Sequence, residues 1–147
     1  MCLIIDANCA AAVCNAADEA KPVVAWLLNV RSHIAVGGSR LAREYRGMTK
    51  FLRLISQLDA RGQLRRFADG EVDTRELQLE ALGELESNDA HIVALAQESG
   101  ARLLYSHDQP LHADFRNPQL LVPRGHVYQT ADHGHLLRAA PPCRADA

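Results

Sequence analysis

Residues 2–6, Cys2-Leu3-Ile4-Ile5-Asp6, place four apolar side chains in a row and then a carboxylate. A continuous apolar run of this length suits a strand buried on both faces rather than one alternating between core and solvent. Such strands belong to parallel sheets with helices packed on both sides. Asp6-Ala7-Asn8 then sits at the carboxyl end of the strand. Two further runs have the same character: His33–Val36, stopped by Gly37-Gly38, and Ala101–Tyr105, stopped by Ser106-His107-Asp108. Leu120–Val122 and His126–Tyr128 are shorter strand candidates.

Helical spacing fills the intervals. Pro22 suits a first turn, and Val23–Val30 continues it with Trp26 and Leu27 inward. Ser39 is a candidate cap for one long helix whose apolar stripe is Leu41, Tyr45, Met48, Leu52 and Ile55, with Gly62 punctuating its end. Leu77, Leu79, Ala81, Leu82 and Leu85 mark another helix. Ser87 or Asn88 is expected to cap a helix from about Asp89 to Ser99, buried through Ile92, Val93, Leu95 and Ala96 and closed by Gly100. Asp108–Phe115 reads as a short helix ended by Asn117-Pro118. Strands alternating with helices predict an α/β fold, a three-layer sandwich with a central, mainly parallel sheet. The expected division is a domain over 1–128 and a C-terminal tail over 129–147, with Ala139–Ala147 poorly ordered.

The 147 residues suffice for one domain with its own core. A formal net charge of −2 names no partner class by itself. The first residues reach a charge too soon for a secretory leader, and no apolar run approaches the roughly 20 residues of a membrane span. The expectation is a soluble cytoplasmic protein with no membrane partner. Cys2, Cys9, Cys14 and Cys143 form no C-x-x-C pair and match no zinc spacing, so free thiols are expected.

Asp6 and Asp108 each stand where a buried strand ends, and ligand sites of parallel sheets form beyond those ends. Asp89 is expected in the first turn of a helix and Glu44 in the second turn of another. Each has an ordinary explanation as a turn former or a complement to the helix dipole. Carboxylates converging on one rim would raise each other's pKa values, a penalty that a divalent cation removes. Hard oxygen donors suit Mg²⁺ or Mn²⁺, with water and substrate phosphate completing the shell.

Six stretches in order resemble the PIN-domain family of metal-dependent nucleases: Leu3-Ile4-Ile5-Asp6-Ala7-Asn8, Gly37–Glu44 (GGSRLARE), Ser87–Ala96 (SNDAHIVALA), Gly100–Asp108 (GARLLYSHD), Leu111–Phe115 (LHADF) and Pro123–Tyr128 (PRGHVY). No single stretch is specific; the ordered set is. The resemblance implies that Asp6, Glu44, Asp89 and Asp108 are the catalytic and metal-binding carboxylates, with Asn8 and Ser106 supporting them. Two positions depart from the family: Pro110 stands where relatives often carry a second acidic residue, and Asn88 where they often carry another Asp. Asp114 is a candidate substitute ligand or a surface residue. The implied activity is hydrolysis of phosphodiester bonds in RNA.

Charge is unevenly distributed. From Arg31 to Arg66 nine basic residues face only Glu44 and Asp59. Arg40, Arg43, Arg46 and Lys50 are candidate RNA contacts, and Arg43, Arg46, Lys50 and Arg53 are expected on one helical face that would track a phosphate backbone; a solvated basic face is the plain alternative. From Asp69 to Glu98 the chain is acidic, a face expected to point away from RNA or to meet a basic partner. His91 is expected to turn away from Asp89, and His133-Gly134-His135 supplies only two metal donors.

An endoribonuclease acting as the toxin of a toxin–antitoxin pair, with an antitoxin protein and a second copy of the chain as partners, is one role this implies. An RNA-processing or defence nuclease fits the same residues. A catalytically weakened RNA- or protein-binding module of the same fold is the alternative that Pro110 and Asn88 leave open. A phosphoacceptor domain would need a lysine after a late strand, and Lys21 and Lys50 are the only lysines.

Overall fold

The computed structural model describes residues 1–144. Its strands are β1 (Cys2–Ile5), β2 (His33–Gly37), β3 (Leu64–Phe67), β4 (Leu103–Tyr105) and β5 (His126–Tyr128). Its helices are α1 (Ala7–Cys14), α2 (Lys21–Leu27), α3 (Ser39–Tyr45), α4 (Thr49–Ala60), α5 (Asp69–Leu82), α6 (Ala90–Ser99), α7 (Gln109–Phe115) and α8 (Gly134–Ala139). The strands form one sheet in the order β3-β2-β1-β4-β5, every pair parallel. Helices flank it on both faces, giving a three-layer α/β sandwich. No helix among the described residues is long and apolar enough to cross a membrane.

The apolar run that begins the chain takes the centre of the sheet. Cys2, Leu3, Ile4 and Ile5 have no exposed surface, as a strand covered on both faces requires. Chain order reverses around β1, with β2 on one side and β4 on the other. That reversal opens a crevice at the carboxyl ends of the two strands, where ligands of such sheets sit. α6 is buried all round through Ile92, Val93, Ala94, Leu95 and Ala96, because α5 packs over it.

Several sequence expectations are corrected. The long helix from Ser39 is two helices, because Arg46 is extended and Gly47 turns to φ 90°. That conformation is costly for a residue with a Cβ. Arg43 and Arg46 therefore do not continue the α4 face that carries Lys50 and Arg53. Ser39 does not cap α3; Gly38 does, at φ 94°, where a Cβ would lie 2.8 Å from Val72 Cγ1. The Gly38 and Ser39 N–H groups donate across the fold to Asp69 and Asp73 of α5 (2.9 and 2.8 Å). Asp89 precedes α6 as its N-cap instead of lying in its first turn. Leu120–Val122 is a turn.

The residues after Gln129 belong to the packed structure. Thr130 and His133 form a capping box, α8 packs on α2, and Leu137 is buried. Cys143 is disulfide-bonded to Cys2, and Arg144 N–H donates to Ser99 O at 2.7 Å. The residues through 144 are thus packed against the domain, and residues 145–147, where part of the expected poorly ordered stretch falls, lie outside the described residues. Two of the four expected thiols are oxidised, leaving Cys9 and Cys14 free. Spacing could not reveal a bond whose partners are 141 residues apart.

Candidate metal centre

Four carboxylates from four segments converge on the crevice. Asp6 follows β1, and its N–H donates to Tyr105 O of the neighbouring strand at 3.0 Å. Tyr45, buried in the core as its helical position suggests, donates its hydroxyl to Ile5 O and pins the same strand end. Asp108 caps α7, accepting the Leu111 N–H at 3.3 Å. Asp89 caps α6, and Glu44 projects from α3.

Mutual proximity is written in their protonation. Burial pushes the Asp6 carboxyl up, and the Glu44 charge adds to this, against the Ser106 hydroxyl and His91. Asp89 is pushed up to about 7, first by burial, then by a side-chain hydrogen bond with Asp108 and the charges of Asp6 and Asp108. The Arg40 guanidinium, 3.4 Å from Asp89, pulls the other way and loses.

Two serines hold this arrangement with the same geometry. Ser106 Oγ donates to Asp6 Oδ2 (2.7 Å) and accepts the Asp108 N–H (3.1 Å). Ser87 Oγ donates to Asp114 Oδ2 (2.6 Å) and accepts the Asp89 N–H (3.2 Å). Each turn thus fixes an aspartate two residues on, and each serine is anchored on a buried carboxylate. Asp114 also accepts the Glu86 and Ser87 N–H groups at 2.8 and 3.0 Å. Three hydrogen bonds from that loop occupy its oxygens, so Asp114 holds Ser87 and through it Asp89. Beneath Ser106, the His112 Nε2–H donates to Ser106 O at 2.6 Å, and burial pushes the His112 pKa down, keeping the ring neutral.

His91 is turned inward, against the sequence expectation. Helical spacing cannot relate it to Asp89, because Asp89 has non-helical backbone angles. Its Nε2–H donates to Glu44 Oε1 at 2.7 Å, and its side chain is almost fully buried. Glu44, Asp89 and His91 bring one donor atom each within 4.8 Å of one another, close enough to share an ion. Ligation through Nε2 would move the proton to Nδ1, which meets no acceptor among the described residues. His91 is therefore the residue that orients Glu44.

The other sequence candidates scatter. Asn8 is exposed and accepts the His107 N–H at 3.5 Å, a marginal bond at the rim. Arg40 lies on the face of α3 that carries Glu44, between Asp89 and Glu76 (4.0 Å). Arg43 is exposed and acts on Asp73 of α5. Arg46 is exposed in the break between helices. Lys50 acts on Cys14 at the last residue of α1, about 12 Å along that helix from Asp6. Of the four proposed RNA contacts, only Arg40 reaches the site. His107 points its ring at Glu19 (2.5 Å), which also accepts from Tyr105 (2.7 Å). His133 spends its Nδ1 on the Gln129 and Thr130 N–H groups, which removes it from a metal pair with His135.

The donor set fits a hard divalent cation. Its carboxylates supply hard oxygen donors, burial and the neighbouring carboxylates push Asp89 and Asp6 upward, and Ser106 and His91 fix ligand directions from outside. Comparison with protein families, curated proteins and solved structures finds no match to this chain.

Proposed function

We propose that the chain is a metal-dependent ribonuclease hydrolysing phosphodiester bonds in RNA at Asp6, Glu44, Asp89 and Asp108. The observation that carries this reading is the meeting of Asp89 and Asp108 with Asp6 and Glu44 at the sheet's switch point, where burial and the neighbouring carboxylates push Asp89 up to about 7 and Asp6 upward. A site built to bind a cation has this electrostatic character when metal-free. Mg²⁺ or Mn²⁺ bound there would supply an acidified water and offset charge on the scissile phosphate. Asp6 and Asp108, locked together through Ser106, present fixed oxygens. Glu44 has one oxygen held by His91. Arg40 stands beside Asp89, where its guanidinium can meet a phosphate oxygen once Asp89 turns to a cation. RNA as the substrate, an antitoxin partner and the cytoplasm as working compartment belong to the same proposal on the family resemblance alone. The Cys2–Cys143 bond is the feature that pulls against a reducing compartment.

The test is cleavage of generic single-stranded RNA with Mg²⁺ or Mn²⁺, comparing the wild type with Asp6→Asn. Loss of at least about a hundredfold in rate is expected for a residue of the metal-binding set. Equal activity in both, or none in either, would overturn the reading. The second outcome would favour a binding module of the same fold. That alternative draws support from Asp114, whose commitment to the 86–87 loop leaves no fifth carboxylate.

A further inference from the structure

The Cys2–Cys143 bond plays no part in the metal centre and lies at the opposite end of the sheet. Cys2 opens β1 and Asp6 follows its last residue, so the bond sits about 13 Å along the strand from the crevice. Cys2 is fully buried on the central strand, between β2 and β4, whereas Cys143 is only partly buried.

Cys143 belongs to a strap, residues 140–144, that follows α8 without a helix or strand of its own. Pro141 and Pro142 have no N–H to donate, and both are exposed. Among the described residues one backbone hydrogen bond ties this strap to the domain, from Arg144 N–H to Ser99 O at 2.7 Å. Ala140 is buried, and the Arg144 stem lies over Gly100, where a Cβ would come within 3.0 Å of its Cγ. Arg102 works against these contacts. It is buried, with its guanidinium bonded to the Ala96, Ala101 and Val122 carbonyls, and the Arg144 charge joins burial in pulling its pKa down. Two like charges so placed oppose docking. Fixing the backbone of several residues also costs more than one net hydrogen bond returns. The covalent bond therefore supplies most of what holds the strap in place.

We propose that Cys2–Cys143 is a thiol-exchange site: a small thiol of the glutathione class opens it at Cys143 and frees the strap, and the matching small disulfide closes it again. The incoming thiolate bonds to the more accessible Cys143 Sγ as the Cys2–Cys143 bond breaks. The electron pair leaves on Cys2 Sγ, which takes up the proton that the small thiol gave up. A second small thiol attacks the mixed disulfide, releasing Cys143 as a thiol and the small disulfide as the oxidised product. The electrons that the two small thiols lose are those that the two cysteines gain. Cys2 stays in β1, held by its pairing with β2 and β4, so the strap moves and the crevice keeps its geometry. The chain thus takes two forms, strap closed under oxidising conditions and open under reducing ones, with one metal centre. The inference is independent of the ribonuclease reading.

The experiment is ¹⁵N NMR relaxation on the full chain, kept in glutathione disulfide or in reduced glutathione, alongside Cys143→Ser. Thiol counting in denaturant should find two free thiols in the oxidised wild type and four in the reduced one. The Cys143 and Arg144 amides should have order parameters near ~0.85 when oxidised and below about 0.6 when reduced. In Cys143→Ser the Arg144 amide should be loose in both conditions. The Asp6, Ser106 and Asp108 amide resonances should stay in place on reduction. Acid quenching during reduction should trap glutathione on Cys143. Four free thiols in wild type kept in glutathione disulfide would overturn the proposal, and so would an Arg144 amide that stays ordered after reduction. Loss of the whole fold on reduction, or a glutathione adduct on Cys2 instead of Cys143, would overturn it equally.

Discussion

Replacing Asp89 with Asn should stabilise the metal-free protein, the opposite of what an ordinary buried polar substitution does. Asn keeps the shape of the side chain and can still donate to Asp108, but it carries no charge. In the native protein the Asp89 carboxyl is pushed from 3.8 to about 7 by burial, by its bond with Asp108 and by the surrounding carboxylates. A raised carboxylate pKa means the folded state holds a proton the unfolded state has released. Stability then falls as pH rises from about 4 to about 7 and stays low above it. The whole shift corresponds to about 4 kcal/mol at 1.36 kcal/mol per pKa unit. Asp89 is strongly coupled to its neighbours and the site is partly solvated, so about 2 kcal/mol is the sounder figure. At pH 8 in chelator, Asp89→Asn should melt about 4–8 °C above wild type, at roughly 2–4 °C per kcal/mol. Saturating Mn²⁺ should reverse the order. At about 100 times its Kd the ion adds roughly 2.7 kcal/mol to the wild type and much less to a variant lacking one carboxylate. Thermal denaturation at pH 5 and pH 8, with chelator and with Mn²⁺, reads all four corners. An Asp89→Asn variant that is less stable than wild type in chelator at pH 8, or that keeps the full Mn²⁺ gain, would refute the idea that the carboxylates are crowded to receive a cation.

Ser106→Ala removes a fully buried hydroxyl that bonds both Asp6 and the Asp108 N–H; we expect about 1–3 kcal/mol of lost stability by urea denaturation and a tenfold to hundredfold weaker Mn²⁺ affinity by calorimetry. Asp114→Ala leaves the Glu86 and Ser87 N–H groups without their acceptor and should cost about 2–4 kcal/mol, yet calorimetry should give an unchanged number of ions per chain, because Asp114 holds Asp89 without being a ligand. His91→Leu should weaken Mn²⁺ binding about tenfold or more by freeing Glu44, and His91→Gln, which can still donate to Oε1, should recover part of it; equal loss in both would mean that His91 binds the ion itself.

The architecture was legible where one physical signal dominates. Cys2–Ile5 suits a doubly covered strand, which puts Asp6 at the sheet's rim. β3 was hidden because Leu64-Arg65-Arg66-Phe67 is an edge strand whose charged residues read as part of a basic stretch. The break at Gly47 was hidden because its flanking apolar residues keep helical spacing while the backbone does not. At the site, Asp6 and Asp108 follow from strand ends and from the family resemblance, whereas Glu44 and Asp89 depend more on the resemblance. His91 and Asp114 were misread for a common reason. Their roles depend on non-helical residues, Asp89 and the 86–87 loop, whose directions no periodicity gives. One signal was available: Ser87-Asn88-Asp89 and Ser106-His107-Asp108 repeat the same serine-to-aspartate spacing, and both serines turn out to fix the aspartate that follows.

The most direct measurement is a crystal of the full chain soaked in Mn²⁺, with the ion located by its anomalous scattering. The account predicts a peak in the crevice between β1 and β4, within about 2.0–2.3 Å of oxygens from among Asp6, Glu44, Asp89 and Asp108, with His91 still on Glu44 and Asp114 still on the 86–87 loop. No peak there at saturating Mn²⁺, or a peak held by His91 Nε2 or by His133 and His135 instead, would contradict it.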